Sequence, residues 1–294
     1  MTPAFAAQQG EGNPPAGLVE LRAVGMQFQG PAEIASGWTT FRFVNASPMT
    51  HFALIDKPPA GVTAGQFSTE LAAPFQVLMD ALNAGDDAAA TAVMETFPSW
   101  LADLARMGGP GLLSAGRTGE TTVYLAPGDY IIECYVKKDG IFHTTSPGDG
   151  QLGMLLPLHV SEQDNGAAEP GSNVTLAVRN SGFELDAGKL VAGRNTIRVD
   201  FVEQQALPSF VGNDVHLIRV ASAVDTALAD AWMDWRTQDG LQDPAPVEFL
   251  GGLQDLPAGS HGYFTVDLAP GRYAFIAEMP APLAAGFVLP FSVE

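Results

Sequence analysis

One thiol, two imidazoles and a thioether stand where they could share a metal ion. Cys134 is the only cysteine of the chain and is expected to close a β-strand. His143 follows after eight intervening residues, Met154 after ten more, and His51 lies upstream. Sulfur ligands favour Cu(I) and imidazole suits both oxidation states, so two His, one Cys and an axial Met make up the ligand set of a copper site that passes single electrons. Each residue also has a plainer reading. A lone Cys is usually a small buried hydrophobe, and His51 could end a strand hydrogen-bonded to a loop, as His216 is expected to do. Cys134 with His143 could also form a nucleophile pair, since an imidazole activates a thiolate, but no third, orienting residue can be identified. The sequence has no Gly-rich phosphate loop, no Gly-x-Ser-x-Gly elbow and no paired-Cys zinc spacing. The acidic residues between 225 and 243 lack calcium-loop spacing and read as a solvated helix face. His159 and His261 read as surface residues.

The elements that must position these groups occur twice. Leu-Ala-Pro-Gly-Asp-Tyr at 125–130 aligns with Leu-Ala-Pro-Gly-Arg-Tyr at 268–273. In the same register Gly108 and Gly109 meet Gly251 and Gly252, and Gly116 meets Gly259. Further on, Gly-Met-Leu-Leu-Pro at 153–157 meets Gly-Phe-Val-Leu-Pro at 286–290. Two copies of one domain are therefore expected, at 16–160 and 173–294, joined by a polar, Gly- and Pro-containing linker at 161–172. Residues 39–45, 121–125, 130–136 and 155–160 are short, alternating and β-branched or aromatic, which predicts strands of a mainly β, antiparallel Greek-key sandwich. Helical spacing at 64–83, 86–106 and 225–236 predicts helical insertions at the same place in each copy.

Composition supports a folded protein: 46% of the 294 residues are apolar and 16% charged. A net charge of −19 disfavours nucleic acid and anionic lipid as partners. No stretch approaches the roughly 20 apolar residues of a membrane span. Ala4-Phe5-Ala6 is a small-residue pattern of the kind found at cleavage sites, and the chain is expected to be periplasmic or secreted. The composition leaves room for a homo-oligomer.

A strand ending in Asn, then His, then Ala-Pro-Gly-x-Tyr, Cys, His and Gly-Met before a last strand resembles the cupredoxin, or blue type 1 copper, family. In particular it is similar to bacterial plastocyanin-like domains with helices inserted after the first His. The resemblance implies two tandem cupredoxin-like sandwiches, with one type 1 copper held in the first by His51, Cys134, His143 and axial Met154. Met49 and Met107 are substitutes for Met154, whose distance from His143 is longer than the family pattern and requires the intervening loop to fold back. The second copy has Ala277 in place of Cys134 and Phe287 in place of Met154, with no His between them, so it is expected to be structural. The implied function is electron transfer with a redox partner protein docking near Ile141, Phe142 and Leu152. Copper storage or delivery with a copper donor or acceptor, and a metal-free interaction module, are the alternatives. The chain has five His, no His-x-His pair and no His beside Cys134. From these its own residues supply no second copper centre, and it is expected not to be an enzyme.

Overall fold

Alternation decides the strands. Between residues 38 and 45 of the third strand, Thr39, Phe41, Phe43 and Asn45 point inward, while the residues between them are half-buried or exposed. Asn195, Ile197, Val199 and Phe201 do the same in the second half of the chain, the two-residue period of a strand with one buried face. The computed structural model describes residues 15–205 and 211–294; the Ala4-Phe5-Ala6 pattern lies outside them.

The N-terminal half contains β1 (Leu18–Val24), β2 (Gln27–Gln29), β3 (Glu33–Asn45), β4 (Leu54–Lys57), β5 (Ala105–Arg106), β6 (Thr118–Leu125), β7 (Gly128–Glu133), β8 (Lys137–Lys138), β9 (Ile141–Phe142) and β10 (Leu155–Asp164). The C-terminal half contains β11 (Val174–Arg179), β12 (Gly182–Gly188), β13 (Gly193–Phe201), β14 (Val215–Arg219), β15 (Glu248–Leu253), β16 (Ser260–Leu268), β17 (Gly271–Ile276) and β18 (Val288–Val293). The fold is mainly β. β3 takes part in two layers: its first residues pair with β10, and from Gly37 onward it pairs with β6. Gly37, at φ +119°, lies where the partner changes, a conformation that suits glycine.

In the C-terminal half, β15, β14, β17 and β18 form a separate sheet, and β12, β11, β13 and β16 join the long sheet of the N-terminal half. The join is β16 against β6, with Tyr263 opposite Thr122 and Thr265 opposite Glu120. One apolar cluster runs through both halves, from Phe43, Phe52 and Ile132 to Phe249 and Phe275. β10 continues to Asp164, so the first residues of the expected linker are strand.

Helices interrupt the β framework after β4 and after β14. α1 (Ala64–Gln66) runs through a π-helical turn into α2 (Ala73–Ala84), and α3 (Asp87–Met94) follows. The helix expected to reach residue 106 ends early. Pro98 has no backbone N–H and biases Phe97 away from helical geometry, so the chain passes through a 3-10 turn at Ser99–Asp103 into β5. α4 (Ala223–Trp232) begins at a capping box in which Ser222 and Asp225 satisfy each other's backbone N–H.

The doubled Ala-Pro-Gly-x-Tyr run makes the same contact twice. The Tyr130 hydroxyl donates to the Ala126 carbonyl at 2.6 Å and Tyr273 to the Ala269 carbonyl at 2.7 Å. Both rings are buried, so each bond pins a turn to its own following strand. Tyr130→Phe or Tyr273→Phe should each lower unfolding stability by about 1 kcal/mol, the net worth of one such hydrogen bond, as read from urea unfolding; an unchanged midpoint would show that the contact is dispensable.

Candidate metal centre

The site grows from the end of β3. Buried Asn45 donates from Nδ2 to the carbonyls of Met49 and Leu113, each at 2.8 Å, and accepts at Oδ1 from the Ser47 amide. The loop after the strand is thereby folded so that His51 exchanges both backbone hydrogen bonds with Leu113. Cys134 lies one residue past β7, and its amide donates to the Met154 carbonyl at 3.2 Å. The Met154 amide donates to the His143 carbonyl at 2.7 Å, and that of His143 to the Val136 carbonyl at 2.9 Å.

Backbone hydrogen bonds thus tie Cys134, His143 and Met154 into one knot. The long gap before Met154 is absorbed because residues 144–152 double back. Ser146 Oγ donates to the Gln151 carbonyl at 2.6 Å, and the Gln151 amide to the Gly148 carbonyl at 3.0 Å. Gly153 closes the loop, since a Cβ there would lie 2.0 Å from the Thr144 carbonyl oxygen.

Three donor atoms converge. Cys134 Sγ lies 3.5 Å from His51 Nδ1 and 3.7 Å from His143 Nδ1, and the two imidazole centroids are 4.8 Å apart. All three residues are buried, as is Met154. The spacing fits a metal: bonds of about 2.0 Å to nitrogen and about 2.3 Å to sulfur at a roughly trigonal angle hold N and S about 3.7 Å apart. Burial pulls His51 down to about 4, with a backbone contact at Gly25 opposing, and His143 down to about 3, helped by His51 and Lys138. Both imidazoles are therefore neutral at pH 7, the form a metal requires. Burial pushes the Cys134 thiol up to about 12, so a metal bound there must displace its proton. Phe142, expected at the surface, is buried against Trp235 with ring centroids 5.8 Å apart, while Ile141 is exposed.

The residues flanking Cys134 enter a buried ionic cluster. Arg106 donates to Asp56 at 2.5 Å and to Glu133 at 3.3 Å, and the Tyr135 hydroxyl donates to Glu278 Oε2 at 3.3 Å. Burial and then Asp56 hold Glu133 above the usual carboxylate range; burial and then Asp214 do the same for Glu278.

The C-terminal half keeps the backbone of the site and loses its donors. The Ala277 amide donates to the Phe287 carbonyl at 3.2 Å, as Cys134 does to Met154, but neither side chain can ligate. Sequence reasoning missed a second group there: buried Asp214, His216 and Glu278 lie close together. His216 Nδ1 accepts from the Leu112 amide at 3.1 Å, which places the ring hydrogen on Nε2, 2.7 Å from Asp214 Oδ2. His159 pairs with Asp129 and His261 with Glu169, each at 2.7 Å.

A mainly β fold with a His-Cys-His group closing at the ends of strands matches the resemblance drawn from the sequence. The fold is cupredoxin-like. No family model and no curated protein matches the chain. Among solved structures, auracyanin from Roseiflexus castenholzii is 17% identical and covers 42% of this chain and 99% of its own, with a TM-score of 0.30. Auracyanin A from Chloroflexus aurantiacus, a blue copper protein, is 21% identical over 49% of this chain and 98% of its own, with a TM-score of 0.27. The copper nitrite reductase of Nitrosomonas europaea is 13% identical over 94% of this chain and 93% of its own, with a TM-score of 0.24.

Other cupredoxin-like matches spanning 94% of the chain are a multicopper oxidase and a laccase. These full-length matches to copper enzymes overturn the expectation, drawn from the histidine count, that the chain is not an enzyme. A count within one chain omits ligands from carboxylates or from a second copy. The matches assign no activity to this chain.

The lowered His143 value has a direct consequence for metal-free protein. Below pH 6.5 the unfolded chain takes up a proton that the folded site refuses until about pH 3, so stability is lost as pH falls through that window. Wild type should lose up to about 4 kcal/mol relative to His143→Gln between those limits. Denaturant unfolding at stepped pH checks this, and parallel curves for the two proteins would refute it.

Proposed function

We propose that the N-terminal half binds one copper ion through His51, Cys134 and His143, with Met154 as the axial ligand, and that the protein carries single electrons. The observation behind this reading is the convergence of one thiol sulfur and two imidazole nitrogens at 3.5 and 3.7 Å within the core. When bound, copper would supply one-electron chemistry between Cu(II) and Cu(I), for which mixed nitrogen and sulfur donors are suited.

The chain's own residues supply the rest. Phe52, packed edge-on to Tyr135 at 4.6 Å, and buried Phe142 keep water from the donors. Asn45 and Gly153 fix the loops from which His51 and Met154 project, so little rearrangement is open to the donor set. Full burial of the three donors favours retention of the metal over exchange with a copper donor or acceptor. A redox partner protein would dock at Ile141, in the Cys134–His143 segment, and at Leu152, in the loop that follows it, and the protein would work outside the cytoplasm.

Adding one equivalent of Cu(II) to metal-free protein should produce an intense visible thiolate-to-copper band that Cys134→Ser lacks. A colourless wild type would sink the reading. Met154→Gln replaces a soft sulfur with a harder oxygen, which favours Cu(II); it should keep the band and lower the reduction potential measured by protein-film voltammetry. An unchanged potential would remove Met154 from the ligand set.

A further inference from the structure

Between Cys134 and His143 the chain forms a small hairpin, β8 against β9, with Lys137 opposite Phe142. Two short strands of this kind are marginal alone in water. The hairpin is held from both sides by parts of the chain distant in sequence. From the helical insertion, buried Gln76 accepts at Oε1 from the Phe142 amide at 2.8 Å and donates from Nε2 to the Gly140 carbonyl at 3.2 Å.

From the C-terminal half the grip is more extensive. The Lys137 amide donates to the Leu241 carbonyl at 2.7 Å, and the Asp243 amide donates to the Lys137 carbonyl at 2.8 Å. Gln242 Oε1 accepts from the Gly140 amide at 2.9 Å. Asp243 Oδ1 accepts at 3.0 Å from the amide of Thr50, the residue before His51.

Lys137 completes the contact. Its side chain is fully buried, and Nζ donates to the carbonyls of Trp235, Thr237 and Gln238 at 3.0, 2.6 and 3.3 Å. A buried ammonium needs all its hydrogens satisfied, and here one loop of the C-terminal half supplies three carbonyl acceptors, with Met79 Sδ a weaker fourth at 3.8 Å. Residues 235–243 thus reach the residue before His51 directly and, through Lys137 and Gly140, the hairpin between Cys134 and His143.

We infer that the loop spanning residues 235–243 of the C-terminal half is a clamp that fixes the hairpin carrying Cys134 and His143, with Lys137 as its pin and Gln242 and Asp243 as further positioning residues. This gives the half without a metal site a task at the site of the other half. It rests on the proposed function only for its consequence at copper; the clamp itself is a property of the metal-free chain.

The test is amide hydrogen exchange on metal-free wild type, Lys137→Met, Gln242→Ala and Thr121→Val, read at Phe142 and His143. The acceptors of these two amides, on Gln76 and Val136, are untouched by the substitutions, so faster exchange there reports loosening of the whole hairpin. Thr121→Val removes a different bond between the halves, Thr121 Oγ1 to the Gly252 carbonyl at 2.9 Å. Lys137→Met and Gln242→Ala should speed exchange at both amides by about tenfold or more, and Thr121→Val should not. Wild-type rates in Gln242→Ala and in folded Lys137→Met, or equal acceleration in Thr121→Val, would overturn the clamp; should Lys137→Met not fold, Gln242→Ala alone decides. With copper added, the two clamp variants should shift the thiolate-to-copper band and the potential relative to Thr121→Val. A wild type without that band would end the copper reading while leaving the exchange result to decide the clamp.

Discussion

A thiol sulfur held in the core 3.5 and 3.7 Å from the nitrogens of two imidazoles is the constraint around which the N-terminal half is arranged. None of the three can be left to side-chain rotation, because a buried polar group out of place loses its partner and gains no water. The chain meets the constraint with backbone hydrogen bonds. His51 is paired with Leu113, Cys134 with Met154 and Met154 with His143, so donor positions follow from strand ends and loop closure. Gly153 is part of the same solution, since any side chain there would collide with the Thr144 carbonyl.

The second half of the molecule is bound to this arrangement by more than adjacency. β16 extends the sheet of the first half through β6, and a single apolar cluster crosses the junction. The positions that could have formed a second centre now serve the junction. His216 takes the Leu112 amide, and Glu278 takes the Tyr135 hydroxyl. With four carboxylates, those of Asp56, Glu133, Asp255 and Glu278, buried near Arg106, charge is under-compensated. Burial accordingly pushes Asp255 up to about 6 and holds Glu133 and Glu278 above the usual carboxylate range. The interior makes ionisation of these acids costly.

The parts legible in the sequence were those governed by neighbours along the chain. Alternation marked β3 and β6, helical spacing marked α2 and α4, and the Ala-Pro-Gly-x-Tyr runs marked two equivalent turns. The boundaries that moved did so for identifiable reasons. The helix expected to reach residue 106 stops after α3 because of Pro98, and β10 runs on to Asp164 because β3 offers it an edge. Phe142 was assigned to an exposed patch on hydrophobicity alone, whereas Trp235, almost a hundred residues away, covers it.

The sequence by itself determined the chemical types available to the candidate centre, their order along the chain, and the absence of a cysteine from the second half. Residue identity and local period carry that information. Only the tertiary structure decided that residues 144–152 fold back to bring Met154 against His143. It also decided that Asp214, His216 and Glu278 gather in one place, and that residues 235–243 hold the hairpin between two ligand positions. These are contacts between segments separated by up to about a hundred residues or more, and their partners are selected by the closing of the whole core; no pattern within a strand or helix encodes them.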